Sequence, residues 1–156
     1  MNTIIQMWEG IPLQLNEQIA QLFPHCGFDD FPDNCCGAGQ GIWEKLVPDY
    51  IYISPVIIRD ANPTMVKISP ACAGHDLDWN LSKPTWDDFH EANSRLYANI
   101  KAIVENKTEA GSNTQYYALR YPAIYAHAVN TLGQKHFWKI KQSQGYQIPD
   151  SAAWLL

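Results

Sequence analysis

Positive charge is scarce in this sequence. Eleven Lys and Arg stand against sixteen Asp and Glu, for a formal net charge of −5, and no basic run occurs anywhere in the 156 residues. Phosphate backbones are bound by clustered Lys and Arg, so nucleic acid is excluded as the expected partner. Charge alone would not draw the chain to an anionic membrane either. Long apolar runs are missing too, and no window approaches the roughly 20 residues of a transmembrane helix. The N-terminal stretch MNTIIQMWEGIPLQL has no basic leading region and is interrupted by Glu9, Gly10 and Pro12, so it is not read as a signal peptide. Synthesis in the cytoplasm without a signal peptide is expected, with any action following release, export or packaging. The acceptor patterns at Asn80 and Asn106 are then chance matches. There is no internal repeat and no low-complexity tract.

What is present suits one folded domain over 1–156. With 46% hydrophobic residues the chain can bury a core. Six tryptophans and eight tyrosines are read first as core, and second as amphipathic rings suited to a lipid interface. Residues 1–24 form an apolar N-terminal arm, partly helical, ending at Pro24. The stretch HCGFDDFPDNCCGAGQG, 25–41, is loop chemistry. Tyr50 to Ile58 reads as a short strand pair or an irregular arm.

Helical signals strengthen after Pro70. That proline suits a first turn, with Ser69 as cap, and Cys72, His75, Asp76 and Trp79 then recur at helical spacing on one face. A second helix follows Thr85, whose pairing with Asp88 resembles a capping box. Its apolar stripe is Phe89, Leu96, Ile100 and Ile103, with Asn93 lodged inside, an amide that needs a partner there. A third helix is expected over about 115–132, burying Tyr121, Ile124, Tyr125, Ala128 and Val129. Pro122 should delay or kink it, and Gly133 should stop it. The aromatic tail 134–156 gives no clear pattern.

Three features share one chemistry. Gly37, Gly39 and Gly41 follow Cys35 and Cys36 in a loop whose glycines can turn carbonyl oxygens inward, the ligands a hard cation takes together with a carboxylate. His75 and Asp76 are neighbours on a helix and point about 100° apart, so one can address a substrate while the other addresses a metal. Asn93 can hold the far nitrogen of His75. Plainer readings stay open at this level. His75 can be a hydrogen-bonded helix histidine, Asn93 a packing amide, and the glycines a turn. Cys35, Cys36, Cys72 and His75 can bind zinc, although neighbouring cysteines seldom ligate one ion. In a cytoplasmic chain the default for the four cysteines is free thiols or a metal site, and Cys26 with Cys35 can bond or stay free.

Cys36-Gly37-Ala38-Gly39 and Cys72-Ala73-Gly74-His75-Asp76, in that order, resemble the calcium loop (C-G-x-G) and active-site helix (C-x-x-H-D) of the secreted-type phospholipase A2 superfamily. The resemblance runs from about Asp33 to Gly133, and the later segment YAHAVNTLG is similar to the bacterial and fungal branch. It implies a mainly α fold in which two long antiparallel helices lie beneath a calcium loop, flanked by an N-terminal arm and a C-terminal tail. It also implies calcium-dependent hydrolysis of the sn-2 ester of glycerophospholipids, with a phospholipid membrane surface as partner. His75 would be the general base. Asp76 and the carbonyls of Cys35, Gly37 and Gly39 would hold Ca²⁺, with the Gly37 N–H aiding the oxyanion. Cys36 and Cys72 would form a disulfide, against the default for a cytoplasmic chain.

Two positions depart from that family. Asn93 stands where it has an aspartate behind the histidine, and Trp79 stands where it has a tyrosine. Asn93 can accept from the imidazole and from the Trp79 indole, but it brings no charge, so a weaker base is expected. The resemblance extends to phage and prophage chains. The rival function it implies is a non-enzymatic structural or binding component of a virion or secretion particle.

Overall fold

A computed structural model describes residues 2–23, 26–33, 35–36, 48–59 and 64–156. Helices account for 56% of these, alongside two small antiparallel sheets.

The N-terminal arm is the main departure from the sequence reading. It is a hairpin of β1 (Thr3–Trp8) and β2 (Ile11–Asn16), followed by only a short α1 (Glu17–Leu22). Glu9 and Gly10, which break the apolar run, make the two-residue turn with φ of 49° and 83°. Positive φ at both positions twists a tight hairpin correctly. Ile11, Leu13 and Leu15 alternate inward and are buried, the period-two pattern of a strand with one covered face. Asn16 then caps α1 by accepting from Gln18 N–H at 2.9 Å.

The arm between 50 and 67 is β3 (Tyr50–Ile53), a single turn α2 (Pro55–Ile58) and β4 (Thr64–Lys67). The strands pair antiparallel, with Ile51 opposite Val66 and both buried. The chain next enters α3 (Ser69–Leu81), turns through 82–85, and returns as α4 (Trp86–Lys107). Ser69 is not the cap expected of it. Ile68 occupies that position, and Ser69 lies buried in the first turn. The Thr85 cap does form, its hydroxyl accepting from Asp88 N–H at 3.1 Å. Side-chain pairs at 79 with 89 and at 75 with 93 show that α3 and α4 run antiparallel.

Two polar devices lock this pair to the hairpin. The Asn99 side chain accepts from Gln14 N–H at 2.6 Å and donates to Gln14 C=O at 2.9 Å, satisfying a strand edge as another strand would. Arg95 donates to both carboxylate oxygens of Asp78, at 2.6 and 2.9 Å, and to Thr3 Oγ1 at 3.0 Å.

The third helix is two. The break before Pro122 separates α5 (Asn113–Ala118) from α6 (Tyr121–Leu132), since proline supplies no N–H to continue a helix. Tyr125 is buried as expected, but Ile124 is exposed because α6 packs on α4 through its other side. Gly133 ends α6, and α7 (Gln134–Ser143) starts at once, with α8 (Asp150–Ala153) near the C-terminus. The aromatic tail therefore has a place. Phe137, Trp138 and Ala152 join Trp79, Phe89 and Ala92 in a second core cluster, apart from the larger one around the hairpin, α3 and α4.

Candidate active site

Along α3, Cys72, His75 and Trp79 are buried, whereas Asp76 keeps half of its side-chain surface. Cys36 is joined to Cys72 by a disulfide, which removes the zinc set that would have needed both thiols. Cys26 and Cys35 are free.

The His75 imidazole faces Asn93 on α4, with Nε2 2.7 Å from Asn93 Oδ1. The Trp79 indole N–H donates to the same oxygen at 3.1 Å. An indole N–H is a donor only, so the atom it meets must be the amide oxygen. That oxygen can only accept, and His75 Nε2 must carry a hydrogen. The lone pair of the neutral ring is then on Nδ1. Asp76 Oδ1 stands 4.0 Å from Nδ1, too far for a hydrogen bond.

Burial pushes the His75 pKa down to about 4. The Asn93 hydrogen bond opposes this, and Arg95 adds to it. The ring is thus neutral at pH 7, but it is a weaker base than its unperturbed value near 6.5 promised, because burial disfavours the imidazolium and the Asn93 amide brings no charge to offset that. Packing around Asp76 pushes its carboxyl up to about 7, although the outer half of the side chain still meets solvent. Among the described residues no lysine or arginine pairs with it.

Near Asp76 lies Cys35, whose thiol is pushed above its ordinary range by burial first and then by the charges of Asp49, Asp76 and Asp33. Cys35 and Cys36 donate their backbone N–H groups to Asp49 Oδ1 at 2.9 and 3.0 Å. Among the described residues no three His, Cys, Asp or Glu side chains gather to hold a metal by themselves. The exposed half of Asp76 offers one oxygen donor of the kind a hard cation takes, and the described residues gather no cluster of side-chain ligands beside it. Gly37 and Gly39, the other expected ligands, lie outside the described residues.

His75, Asp76 and Trp79 line a cleft of about 380 Å³. Its walls include Leu96 from α4 and Tyr125, Ala128, Val129 and Leu132 from α6, and its rim carries Lys135, His136 and Lys139 from α7. Leu132 is 59% exposed, so the cleft reaches the surface there. Among the described residues none hydrogen-bonds His75 Nδ1, and the neutral imidazole and the Asp76 carboxyl both line this largely apolar cleft, whose size suits a small ligand.

Compared with family models, curated proteins and solved structures, the chain matches none.

Sequence reasoning missed three contributors. Asn130 on α6 accepts from Asn93 Nδ2 at 2.8 Å, and its signal was the same as that of Asn93, an amide inside an otherwise apolar helix. The basic rim on α7 was missed because the tail showed no readable pattern. Gly133, expected only as a helix stop, also makes room for the Trp79 ring through its lack of a side chain.

Proposed function

We propose that this protein hydrolyses the sn-2 ester of glycerophospholipids in a calcium-dependent reaction, with His75 as general base. The observation that carries the reading is the neutral His75, held at Nε2 by Asn93 and placed beside Asp76 at the wall of an apolar cleft. The sequence resemblance to secreted-type phospholipases A2 supports the same assignment.

An acyl chain enters along Leu96, Tyr125, Ala128 and Leu132, and the ammonium groups of Lys135 and Lys139 at the rim suit the phosphate of the headgroup. His75 Nδ1 takes a proton from the water that attacks the ester carbonyl. Asn93 and Trp79 keep the ring from turning while it does so. Asp76 and the Cys35 carbonyl would hold Ca²⁺, with Gly37 and Gly39 as the further ligands expected from the motif. When bound, the ion polarises the ester carbonyl and stabilises the oxyanion, a charge the Gly37 N–H is also expected to meet.

One observation favours a second reading. The His75 pKa of about 4 and the uncharged partner Asn93 make a weak base, as expected if the fold serves as a structural or binding component of a virion or secretion particle.

The deciding experiment is fatty-acid release from phospholipid vesicles in millimolar Ca²⁺ or in EDTA, for wild type and His75→Ala. Calcium-dependent release that His75→Ala abolishes without unfolding the protein supports the hydrolase. Silence from folded wild type in every condition rejects it in favour of the structural role.

A further inference from the structure

A carboxylate offers an oxygen whichever way its plane turns, but an amide has a wrong way round. Asn93 stands where orientation matters, because turning it over would aim Nδ2 at both the Trp79 N–H and His75 Nε2. Donor would face donor at the indole. The imidazole could then pair with Asn93 only by moving its hydrogen to Nδ1, the nitrogen that must be bare to act as a base. Trp79 opposes this turn from one side, with its N–H 3.1 Å from Asn93 Oδ1.

The opposite side is held from α6. Asn93 Nδ2 donates to Asn130 Oδ1 at 2.8 Å, and His90 Nδ1 approaches the same oxygen at 3.3 Å. The Asn130 amide is kept this way round by His90, whose Nδ1–H can donate to that oxygen but not to an amide nitrogen, while the Asn130 backbone C=O accepts from Gln134 Nε2 at 2.7 Å across the α6–α7 junction. Turning Asn93 over would therefore break one hydrogen bond at Trp79 and another at Asn130. We propose that Asn130 is a positioning residue that holds the Asn93 amide in register and thereby fixes His75 as its Nε2–H tautomer, with Nδ1 bare.

The functional meaning of this arrangement rests on His75 being the base proposed above. The tautomer itself can be read without any hydrolysis. A merely structural amide would stabilise the packing of α6 on α4 and leave the tautomer alone. A positioning amide predicts more, because its influence should vanish once Asn93 is replaced by a group that has no wrong way round.

The test is the NMR shifts of the His75 ring nitrogens at neutral pH, in the folded full chain, for wild type, Asn130→Ala, Asn130→Asp and Asn93→Asp, and for Asn93→Asp combined with Asn130→Ala. Wild type should show one tautomer, hydrogen on Nε2. Asn130→Ala should give a mixture. Asn130→Asp should restore the single tautomer, since a carboxylate still accepts from Asn93 Nδ2. In the Asn93→Asp background, Asn130→Ala should change nothing. If Asn130→Ala does not fold, Asn130→Gln moves the amide by one methylene and should give the same mixture. An unchanged single tautomer in folded Asn130→Ala overturns the proposal, as does a mixture already present in wild type. Vesicle hydrolysis run alongside should fall at least about tenfold in kcat for Asn130→Ala, with KM little changed. The expected tautomer changes with no hydrolysis by wild type would uphold the positioning role and reject the hydrolase.

Discussion

Gly133 lies so close to the Trp79 indole that a Cβ on it would stand 2.5 Å from the ring, with the Val129 carbonyl oxygen equally near. The glycine has φ −79°, an ordinary helical value, so conformational freedom is not why it is needed. The indole passes over its backbone and reaches Asn93 from there. Gly133→Ala should force the ring to shift, costing about 1–3 kcal/mol of stability by overpacking. The shift should loosen the indole hydrogen bond to Asn93. Denaturant unfolding measures the first effect, and the tryptophan N–H shift in NMR the second. Unchanged stability with an unmoved indole would mean that the helix junction gives way instead.

Acid should find His75 early. Its folded pKa of about 4 lies below the ordinary 6.5 because of burial. Between those values the unfolded chain binds a proton that the folded one refuses. Stability associated with the neutral ring is therefore present above about pH 6.5 and lost as pH falls toward 4. A difference of this size corresponds to about 3 kcal/mol. Wild type should lose about that much more than His75→Asn over the window, measured by unfolding at a series of pH values in EDTA. Parallel losses in the two proteins would place the acid sensitivity elsewhere.

Reduction should weaken the fold. The Cys36–Cys72 bond joins residues separated by 36 positions, and closing a loop of that length constrains the unfolded chain by about 4 kcal/mol in the chain-entropy account. Thiol counting should find two reactive groups, Cys26 and Cys35, before reduction and four after it in unfolded protein. The midpoint of thermal unfolding should fall with reductant. Cys36→Ser combined with Cys72→Ser should have the lowered midpoint already and be insensitive to reductant. A reductant shift that persists in the double variant would implicate the other cysteines.

The parts of the fold legible in the sequence were those where local chemistry and burial agree. Thr85 with Asp88 announced α4, and the stripe through Phe89, Leu96, Ile100 and Ile103 carried it inward. Asn93 was conspicuous as an amide in that stripe, and its partners His75 and Trp79 sat at helical spacing on α3. The N-terminal hairpin was less visible, because only β2 alternates between buried and exposed residues, whereas β1 is largely exposed. The helical spacing of Tyr121, Ile124, Tyr125, Ala128 and Val129 puts Ile124 on the buried side, yet the direction in which α6 packs leaves it outside. Asn130 shows the same local signal as Asn93, but which residue it meets, and that Lys135 and Lys139 rim the cleft, depend on how α6 and α7 meet the first two helices, a long-range relationship.

Asn93→Asp supplies the charge that the amide lacks, against the burial that lowers the His75 pKa. A carboxylate would stand 2.7 Å from His75 Nε2, the present Asn93 Oδ1 distance. An opposite charge that close favours the imidazolium, raising the His75 pKa by about 1–3 units. The Trp79 N–H still has an oxygen to meet, and Asn130 can turn its own amide to donate where it now accepts, giving up the His90 contact that otherwise keeps it the present way round. The substitution should thus be accommodated, with the histidine a stronger base near neutral pH. Calcium-dependent fatty-acid release should rise at least about tenfold over wild type, while Asn93→Leu, with nothing to hold the ring, should fall below it. The His75 titration followed by NMR reports the pKa whether or not activity is present. A raised pKa without any gain in hydrolysis would mean that proton transfer to His75 does not limit a reaction here, and it would favour the structural reading of the site. A gain in hydrolysis that tracks the pKa would identify Asn93 as the residue that keeps this histidine slow.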